Sequence, residues 1–163
     1  MKYIFLDIDG VLNNERTVTR SPDGYVGISD SLTKRLEKII KATGASVVLT
    51  STWKDLSSPE DLAYMKMRLK RHFAAPIGKT HEKNLSLRGL GIKEFLKEHE
   101  CEQFVILDDF TFDFEKEGLT DHLVLTNETD GLTEEDVERA IRILNGDLEA
   151  NNYKEMILWG YHR

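Results

Sequence analysis

Short apolar runs alternate along the chain with longer segments in which apolar residues recur every three or four positions. The clearest runs cover residues 3–6, 45–49, 104–107 and 122–126, and a weaker one covers 74–79. Short runs rich in β-branched and aromatic side chains are typical of buried strands in a parallel sheet. The weaker run contains Pro76, which is tolerated at a sheet edge, so it predicts a short edge strand.

The segments between these runs have the periodicity and the end signals of helices. The predicted helices run from Ser29 or Asp30 to Gly44, from Ser58 to about Phe73, from Leu87 or Arg88 to about His99, and from Thr133 to Gly146. Residues expected to face the core are Leu32, Leu36, Ile39, Ile40, Leu62, Met65, Leu69, Phe73, Leu90, Phe95, Leu96, Val137, Ile141 and Leu144. The element order is therefore βαβαβαββα.

This order predicts a three-layer α/β Rossmann-like fold with a mainly parallel sheet. Because βαβ units wind right-handed, the carboxyl ends of their strands lie at one edge of the sheet. Residues 13–29 contain a Pro-Asp-Gly turn and no sustained periodicity, so we expect a loop or small hairpin that acts as a short flap. In the tail, residues 147–163, the run 156–159 predicts an added strand or a cover over the sheet edge.

The chain has 163 residues, of which 40% are hydrophobic, and this size predicts a single domain covering residues 1–163. No apolar run is long enough to span a membrane, and no signal peptide is evident. The one cysteine, Cys101, excludes an internal disulfide and favours a reducing, cytoplasmic location. No obligate protein partner is evident.

Charge is unevenly distributed. The net charge of −7 argues against a protein whose whole surface binds nucleic acid. Residues 54–97 nevertheless carry 10 basic and 5 acidic side chains, whereas residues 98–163 carry 5 basic and 18 acidic ones. The basic third is either a set of solvated helix faces or a surface that guides an anionic substrate to the site.

Candidate chemistry begins directly after the first strand. Asp7 and Asp9 follow the apolar run 3–6, with one residue between them, so both carboxylates can lie on one face. Gly10 then lets the chain turn out of the sheet. A polar strand exit is the simpler interpretation, but paired carboxylates near a core need a cation or a proton, which favours a metal site or an acid/base pair.

The strand at 104–107 ends in the same way, with Asp108 and Asp109. Four acidic side chains at one sheet edge repel each other without a cation, and their oxygens are the ligands that Mg2+ prefers. The second strand ends in Thr50 and Ser51, whose hydroxyls can donate hydrogen bonds to a phosphoryl oxygen.

Two further residue types invite a functional interpretation. Trp53 follows the second strand, and core packing is favoured slightly over a platform for a substrate base. His72 and His81 lack the spacing of a zinc site, so both are expected to be surface histidines.

Four segments together resemble the motifs of the haloacid dehalogenase (HAD) superfamily of phosphotransferases. DIDGVLN at 7–13 resembles the first motif, DxDG(V/T)L, and the strand that ends at Asp108 and Asp109 resembles the fourth. TSTWK at 50–54 and RGLGI at 88–92 are similar to segments of small capless members associated with RNA-repair or polynucleotide phosphatase proteins. The resemblance extends from Lys2 to about Gly146 and implies a HAD fold with a minimal cap or none.

The resemblance also implies residue roles. Asp7 is expected to be the nucleophile and Asp9 the general acid/base, while Ser51, with Thr50 as the rival, donates its hydroxyl to phosphate. A cation is needed because a carboxylate and a phosphate dianion repel each other, and Arg88 is expected to supply it, with Lys83 and Lys79 as alternatives. Mg2+ is expected to bind the Asp7 carboxylate, the Asp9 main-chain carbonyl, and either Asp108 or Asp109.

The function implied is that of a Mg2+-dependent phosphomonoesterase that forms an aspartyl-phosphate on Asp7. The expected substrate is a phosphorylated molecule, with nucleic-acid terminal phosphates favoured because the site has no large cap and the middle third is basic. A phosphatase for mononucleotides or other small phosphoesters, with the 13–29 segment as a lid, is one alternative. A non-catalytic phosphate-binding or scaffold protein on the same fold is another, although it would need neither Asp7 nor Asp9.

Overall fold

The computed structural model describes residues 1–158, of which residue 158 is described by its backbone only. Five strands form one parallel sheet: β1 (Lys2–Leu6), β2 (Ser46–Leu49), β3 (Gly78–Lys79), β4 (Gln103–Asp108) and β5 (Leu123–Leu125). Their order across the sheet is β3-β2-β1-β4-β5, so β1 is central and β3 lies at an edge, as predicted.

Five helices accompany the sheet: α1 (Asp30–Thr43), α2 (Pro59–Lys70), α3 (Arg88–Glu98), α4 (Glu134–Leu144) and α5 (Tyr153–Leu158). The sequence order agrees with the prediction through α4. Ser29 caps α1, and Gly44 ends it with φ of 72°. Thr133 and Asp136 form the predicted capping box of α4.

Alternating side chains of the strands divide the core between the two faces of the sheet. Ile4 and Leu6 pack on one face with apolar residues of α1, α2 and α4. Tyr3 and Phe5 pack on the opposite face with residues of α3 and α5, including Phe95. Helices on both faces make the arrangement a three-layer α/β fold.

The register of the central strands sets the position of the site. Leu6 of β1 pairs with Leu49 of β2 and with Leu107 of β4. The residue that follows each of these therefore lies at the same level of the carboxyl edge: Asp7, Thr50 and Asp108. Main-chain hydrogen bonds continue this alignment past the strands, since Asp7 N donates to Leu107 O and Thr50 N donates to Leu6 O, each at 3.0 Å.

The 13–29 segment is a loop with one antiparallel bridge, between Arg20 and Val26. It is attached to α2 at several points: Asp23 N donates to Asp61 Oδ1 at 3.0 Å, and Ile28 N donates to the Tyr64 hydroxyl at 3.0 Å. Its role as a flap stays a prediction.

Two local expectations are wrong. Phe73 is 67% exposed because α2 ends at Lys70 and the chain turns there, with φ of 60° at Phe73. His72 is buried, with one ring nitrogen 2.7 Å from Asp30 Oδ1 and the other 2.9 Å from Glu37 Oε1, so it links helices rather than lying on the surface. His81 is exposed, as expected.

In the tail, residues 156–158 belong to α5 rather than to an added strand, and Tyr153 and Met156 of this helix pack on the second core. Trp159 of that prediction and the residues after it lie outside the described residues. Among residues 1–158, none of the helices combines the length and the apolar character that a membrane span requires.

Candidate active site

Asp7 lies at the centre of a buried ionic cluster. Its carboxylate Oδ1 is 3.2 Å from Arg88 Nη1, and the same nitrogen donates to Asp108 Oδ2 at 2.8 Å. Exposures are small: 6% for Asp7, 2% for Arg88 and zero for Asp108. One guanidinium group thus bridges the acids that end the two central strands.

The start of α3 positions Arg88. Backbone N–H groups of Gly89 and Leu90 donate to the carboxylate of Asp113, which therefore caps α3 from the loop after β4. The Arg88 guanidinium also lies over the Phe112 ring, 4.4 Å from its centre. The Asp113 carboxylate therefore fixes the first turn of α3.

In the part of the chain that the structure describes, the acidic side chains of this cluster outnumber its one cation, Arg88. Burial, followed by the nearby Asp108 carboxylate, raises the pKa of Asp7 well above its ordinary value, although Arg88 acts in the opposite direction. Burial likewise raises the pKa of Asp108, to about 6, against the opposing effect of Arg88. Burial acts to lower the pKa of Arg88, but the two carboxylates outweigh it and raise that pKa. One cation does not neutralise this set of acids.

Asp109 completes a group of acids that fits a divalent metal. Carboxylate oxygens of Asp7, Asp108 and Asp109 all lie within 4.8 Å of one another. Gly10 has φ of 82°, and a Cβ built on it would collide with the Asp109 carboxylate, so the turn after β1 packs directly on this acid. Hard oxygen donors at this spacing suit Mg2+, the cofactor expected for the superfamily.

The two predicted hydroxyls have different surroundings. Strand alternation places Thr50 on the same side of the sheet as Val48 and Asp7. Thr50 Oγ1 and Arg88 Nε are both buried and have no hydrogen-bond partner within the described part of the chain. Ser51 Oγ is also buried but accepts from Trp53 N at 3.2 Å, which caps the short 3₁₀ helix Thr52–Asp55. Buried donors without partners are what an absent phosphate would satisfy.

Asp9 is exposed, in contrast to the buried Asp7. Asn13 Nδ2 donates to Asp9 Oδ1 at 2.9 Å, and Trp53 Nε1 donates to Oδ1 at 3.2 Å and to Oδ2 at 3.3 Å. Trp53 is indeed buried in the core, as favoured from the sequence, but its indole N–H faces the site. Sequence patterns carry no signal for this contact between residues 44 positions apart.

The alternative cations lie elsewhere. Lys79 Nζ is 3.2 Å from Asp55 Oδ1, and Lys83 is exposed beside a cavity of about 190 Å³. Sequence reasoning missed Lys54, which is 8% exposed, donates to Thr80 Oγ1 at 2.9 Å and forms a close ion pair with Glu82. Lys54 also lines the small cavity, together with Thr50. Among the predicted cations, Arg88 is the one that contacts Asp7.

A cavity of about 580 Å³ opens beside Asp9. Aromatic side chains of Tyr25 and Trp53 form part of its wall, and none of the described residues that line it is Lys or Arg. Its acidic lining residues are Asp9, Glu15, Asp61, Asp109 and Glu128. The site therefore has a buried interior in which Arg88 lies between acidic side chains, and an acidic, partly aromatic opening.

Comparisons with known proteins identify the family and the fold. Residues 3–137 match the family model described as the HAD domain in Swiss Army Knife RNA repair proteins. A similar solved structure is the 3-deoxy-D-manno-octulosonate 8-phosphate (KDO 8-phosphate) phosphatase from Moraxella catarrhalis in complex with magnesium, phosphate and KDO. It has 14% identity and a TM-score of 0.50, over 99% of this chain and 92% of that chain. This likeness confirms the predicted fold.

A HAD superfamily (subfamily III A) hydrolase described as putative, from Legionella pneumophila, has 17% identity and a TM-score of 0.45, over 98% of this chain and 88% of that chain. No curated protein sequence matches the chain.

Proposed function

Because the chain belongs to the family of HAD domains found in Swiss Army Knife RNA repair proteins, we propose that it is a Mg2+-dependent phosphomonoesterase that forms an aspartyl-phosphate on Asp7. The family match confirms the predicted superfamily and the predicted class of enzyme, a HAD-type phosphatase. The nucleophile, the residue roles and the substrate are the parts that we propose.

One observation carries the proposal: the cluster of Asp7, Arg88 and Asp108 at the carboxyl edge of the sheet, with Asp109 within metal-ligand distance. A phosphate dianion approaches a carboxylate nucleophile only where positive charge offsets the repulsion. Arg88 supplies one positive charge, and burial nevertheless raises the pKa values of Asp7 and Asp108. A scaffold protein would not need such a cluster of buried carboxylates.

Residues suited to hold Mg2+ are the Asp7 carboxylate and an acid of the 108–109 pair. The family resemblance implies the Asp9 main-chain carbonyl as a further ligand. When bound, Mg2+ neutralises these acids and the charge on the phosphoryl oxygens. Both oxygens of Asp108 have a protein partner, Arg88 for Oδ2 and Phe110 N for Oδ1, so this carboxylate is held in place from two sides.

The reaction proceeds in two displacements. A carboxylate oxygen of Asp7 attacks the phosphorus, the bond to the leaving oxygen breaks, and Asp9 gives its proton to that oxygen. Asp9, now a carboxylate, takes a proton from a water molecule whose oxygen attacks the phosphorus. The bond to Asp7 breaks, free phosphate leaves, and Asp9 is again protonated.

Phosphate is held by Arg88 and by a hydroxyl at the end of β2. Thr50 Oγ1 suits this role because it lies level with Asp7 and has no partner in the described structure, whereas Ser51 Oγ already caps a 3₁₀ helix. The sequence resemblance favours Ser51, so the structure supports the rival assignment within the same pair.

For the substrate, we propose a nucleic-acid terminal phosphate. The description of the matching family, which refers to RNA repair proteins, supports this class. The excess of basic residues in 54–97 supports it as well, since it attracts a polyanion. Lys83 and other exposed basic residues of this third lie outside the acidic cavity.

One observation favours a second substrate class, small phosphoesters. The cavity beside Asp9 has about 580 Å³, which is enough for a small leaving group, and its acidic lining disfavours a second phosphate. A compact alcohol such as a sugar fits this chemistry better than a polynucleotide strand.

Phosphate release tests both classes. We would incubate the protein with 3′- and 5′-phosphorylated oligonucleotides, mononucleotides and sugar phosphates, with Mg2+ or with EDTA, and compare the Asp7→Asn variant. Mg2+-dependent release that Asp7→Asn abolishes supports the enzyme, and the ranking of kcat/KM values selects the substrate class. Absence of release from every substrate contradicts the proposal.

A further inference from the structure

Asp9 is held by two uncharged N–H donors. Its Oδ1 accepts from Asn13 Nδ2 at 2.9 Å and from Trp53 Nε1 at 3.2 Å, whereas its Oδ2 has the longer Trp53 contact of 3.3 Å. The indole N–H is thus shared between the two carboxylate oxygens, while the amide binds one of them. Donors from two directions restrict rotation of the carboxylate about its last bond.

Both donors are themselves fixed. Trp53 is 4% exposed and packs in the core near Tyr64, with ring centres 6.4 Å apart, and its main-chain N–H bonds to Ser51. Asn13 is 5% exposed, accepts from Gly10 N at 2.9 Å and donates to Gly27 O at 3.0 Å as well as to Asp9. Neither side chain can move without loss of other contacts.

We propose that Trp53 and Asn13 are positioning residues that hold the Asp9 carboxylate in the orientation in which it gives a proton to the leaving group and later takes one from water. This inference rests on the proposed phosphomonoesterase function. It assigns a catalytic purpose to the buried tryptophan in the TSTWK segment, which connects the end of β2 with the acid/base at the end of β1.

Uncharged donors suit this position. Lys or Arg beside Asp9 would form an ion pair and add a second fixed cation close to Arg88. An indole and an amide orient the carboxylate through geometry and leave the charge of the site to Arg88 and the metal. Trp53 also lines the cavity into which the leaving group must depart, so it excludes water from one side of the proton-transfer path.

The contact itself can be tested without turnover. The chain has two tryptophans, so a ¹H–¹⁵N spectrum contains two indole signals at most, and the one that disappears in Trp53→Phe belongs to Trp53. We expect that signal to shift in Asp9→Ala, which removes the acceptor. An unchanged Trp53 indole signal in Asp9→Ala overturns the inference.

The positioning role predicts a dependence on the leaving group. An alkyl phosphate needs a proton on its leaving oxygen, whereas p-nitrophenyl phosphate releases a stable anion without one. In Trp53→Phe we expect kcat/KM to fall by about 10-fold or more for glycerol phosphate but by less than about 3-fold for p-nitrophenyl phosphate. Replacement of Trp53 by benzothienylalanine, which has sulfur in place of the N–H group, should give the same pattern and keeps the ring shape.

Tyr153→Phe is the control, because it removes an aromatic hydroxyl that binds Glu115 and does not contact Asp9 or its partners. We expect it to change kcat/KM for both esters equally and slightly. An equal loss for both esters in Trp53→Phe and in the benzothienylalanine protein, or no loss for either, overturns the positioning role. If the wild-type protein releases no phosphate from either ester, the proposed function fails, and the catalytic role fails with it; the indole measurement then shows separately whether the contact exists.

Discussion

Asp7 and Asp9 are separated by one residue, yet they belong to different halves of the site. We call Asp7, Thr50, Arg88 and Asp108 the buried half, in which one guanidinium bridges two enclosed carboxylates. We call Asp9, Asn13 and Trp53, with the cavity of about 580 Å³, the open half, in which uncharged N–H groups hold an exposed carboxylate.

The difference follows from what each step requires. Phosphoryl transfer to a carboxylate concentrates charge, and electrostatic stabilisation is strongest where water is excluded. Departure of the leaving group needs space, and the cavity that provides it is lined largely by loop residues, which can vary between relatives without disturbing the sheet. Under the proposed function, the buried half would determine the reaction type and the open half would determine which molecules can react.

The largest expected effect comes from removal of the nucleophile. Asp7→Asn should lower kcat roughly 10⁴-fold or more, because no aspartyl-phosphate can form. In EDTA it should also raise the melting temperature, because burial and Asp108 disfavour the charged form of Asp7. Asp9→Asn should lower the rate for alkyl esters without such a rise. Thermal melts and rates of the two variants test the comparison, and a similar stability gain in both would contradict it.

Arg88→Met should produce the next largest effect, on stability. It leaves Asp7 and Asp108 buried without their cation, which typically costs about 3–5 kcal/mol when one partner of a buried ion pair is removed. Lys93→Met, on the same helix, is the control, since Lys93 is half exposed and its ion pair with Glu117 spans 3.7 Å. Urea unfolding in EDTA measures both. Equal losses in the free energy of unfolding of the two variants would mean that Arg88 does not stabilise the buried carboxylates of Asp7 and Asp108.

Mg2+ should stabilise the protein more at neutral pH than at acid pH. The pKa of Asp108 is raised from 3.8 to about 6, so the folded protein binds more protons than the unfolded chain between these values. Stability without metal therefore falls as the pH rises through this window and is lower above it. Mg2+ requires the ionised acids, so its stabilising effect should be larger at pH about 7.5 than at pH about 5. Thermal melts with Mg2+ or EDTA at both pH values measure this difference; the opposite order would contradict it.

The smallest expected effects come from variants of Thr50 and Ser51, which test which of the two hydroxyls binds phosphate. Thr50→Val should lower kcat/KM about 10-fold or more if Thr50 donates to the phosphate. The same change should raise the free energy of unfolding by about 1 kcal/mol, since it removes a buried hydroxyl without a partner. Ser51→Ala should lower the free energy of unfolding by about 1 kcal/mol through loss of its cap and change kcat/KM little. The reverse pattern in kinetics would assign the phosphate to Ser51.

Much of the fold could be predicted because its signals are local. The apolar runs that became β1, β2 and β4 are continuous in sequence, and the caps of α1, α2 and α4 lie at their expected residues. The prediction for Phe73 was wrong, and so was the strand alternative for residues 156–158, for a related reason. Their apolar side chains suggested a helix face and a strand, but the end of α2 and the packing of α5 depend on distant parts of the chain.

Within the site, the sequence determined that acids end two strands. Asp7, Asp9, Asp108 and Asp109 each follow a hydrophobic run, and a parallel sheet necessarily collects such residues at one edge. The cation that contacts Asp7 could not be identified from the local sequence. Arg88 contacts one acid 20 residues later and another 81 residues earlier, whereas Lys79 pairs with Asp55.

The sequence by itself thus determined the family, the layered fold and the acidic edge, since periodicity and strand-end residues act over a few positions. Only the tertiary structure decided that Arg88 bridges Asp7 and Asp108, that Trp53 and Asn13 hold Asp9, and that Lys54 pairs with Glu82. These contacts depend on strand register, on the helix start that Asp113 fixes and on the path of the 13–29 loop. Side chains far apart in sequence meet only after those elements have packed.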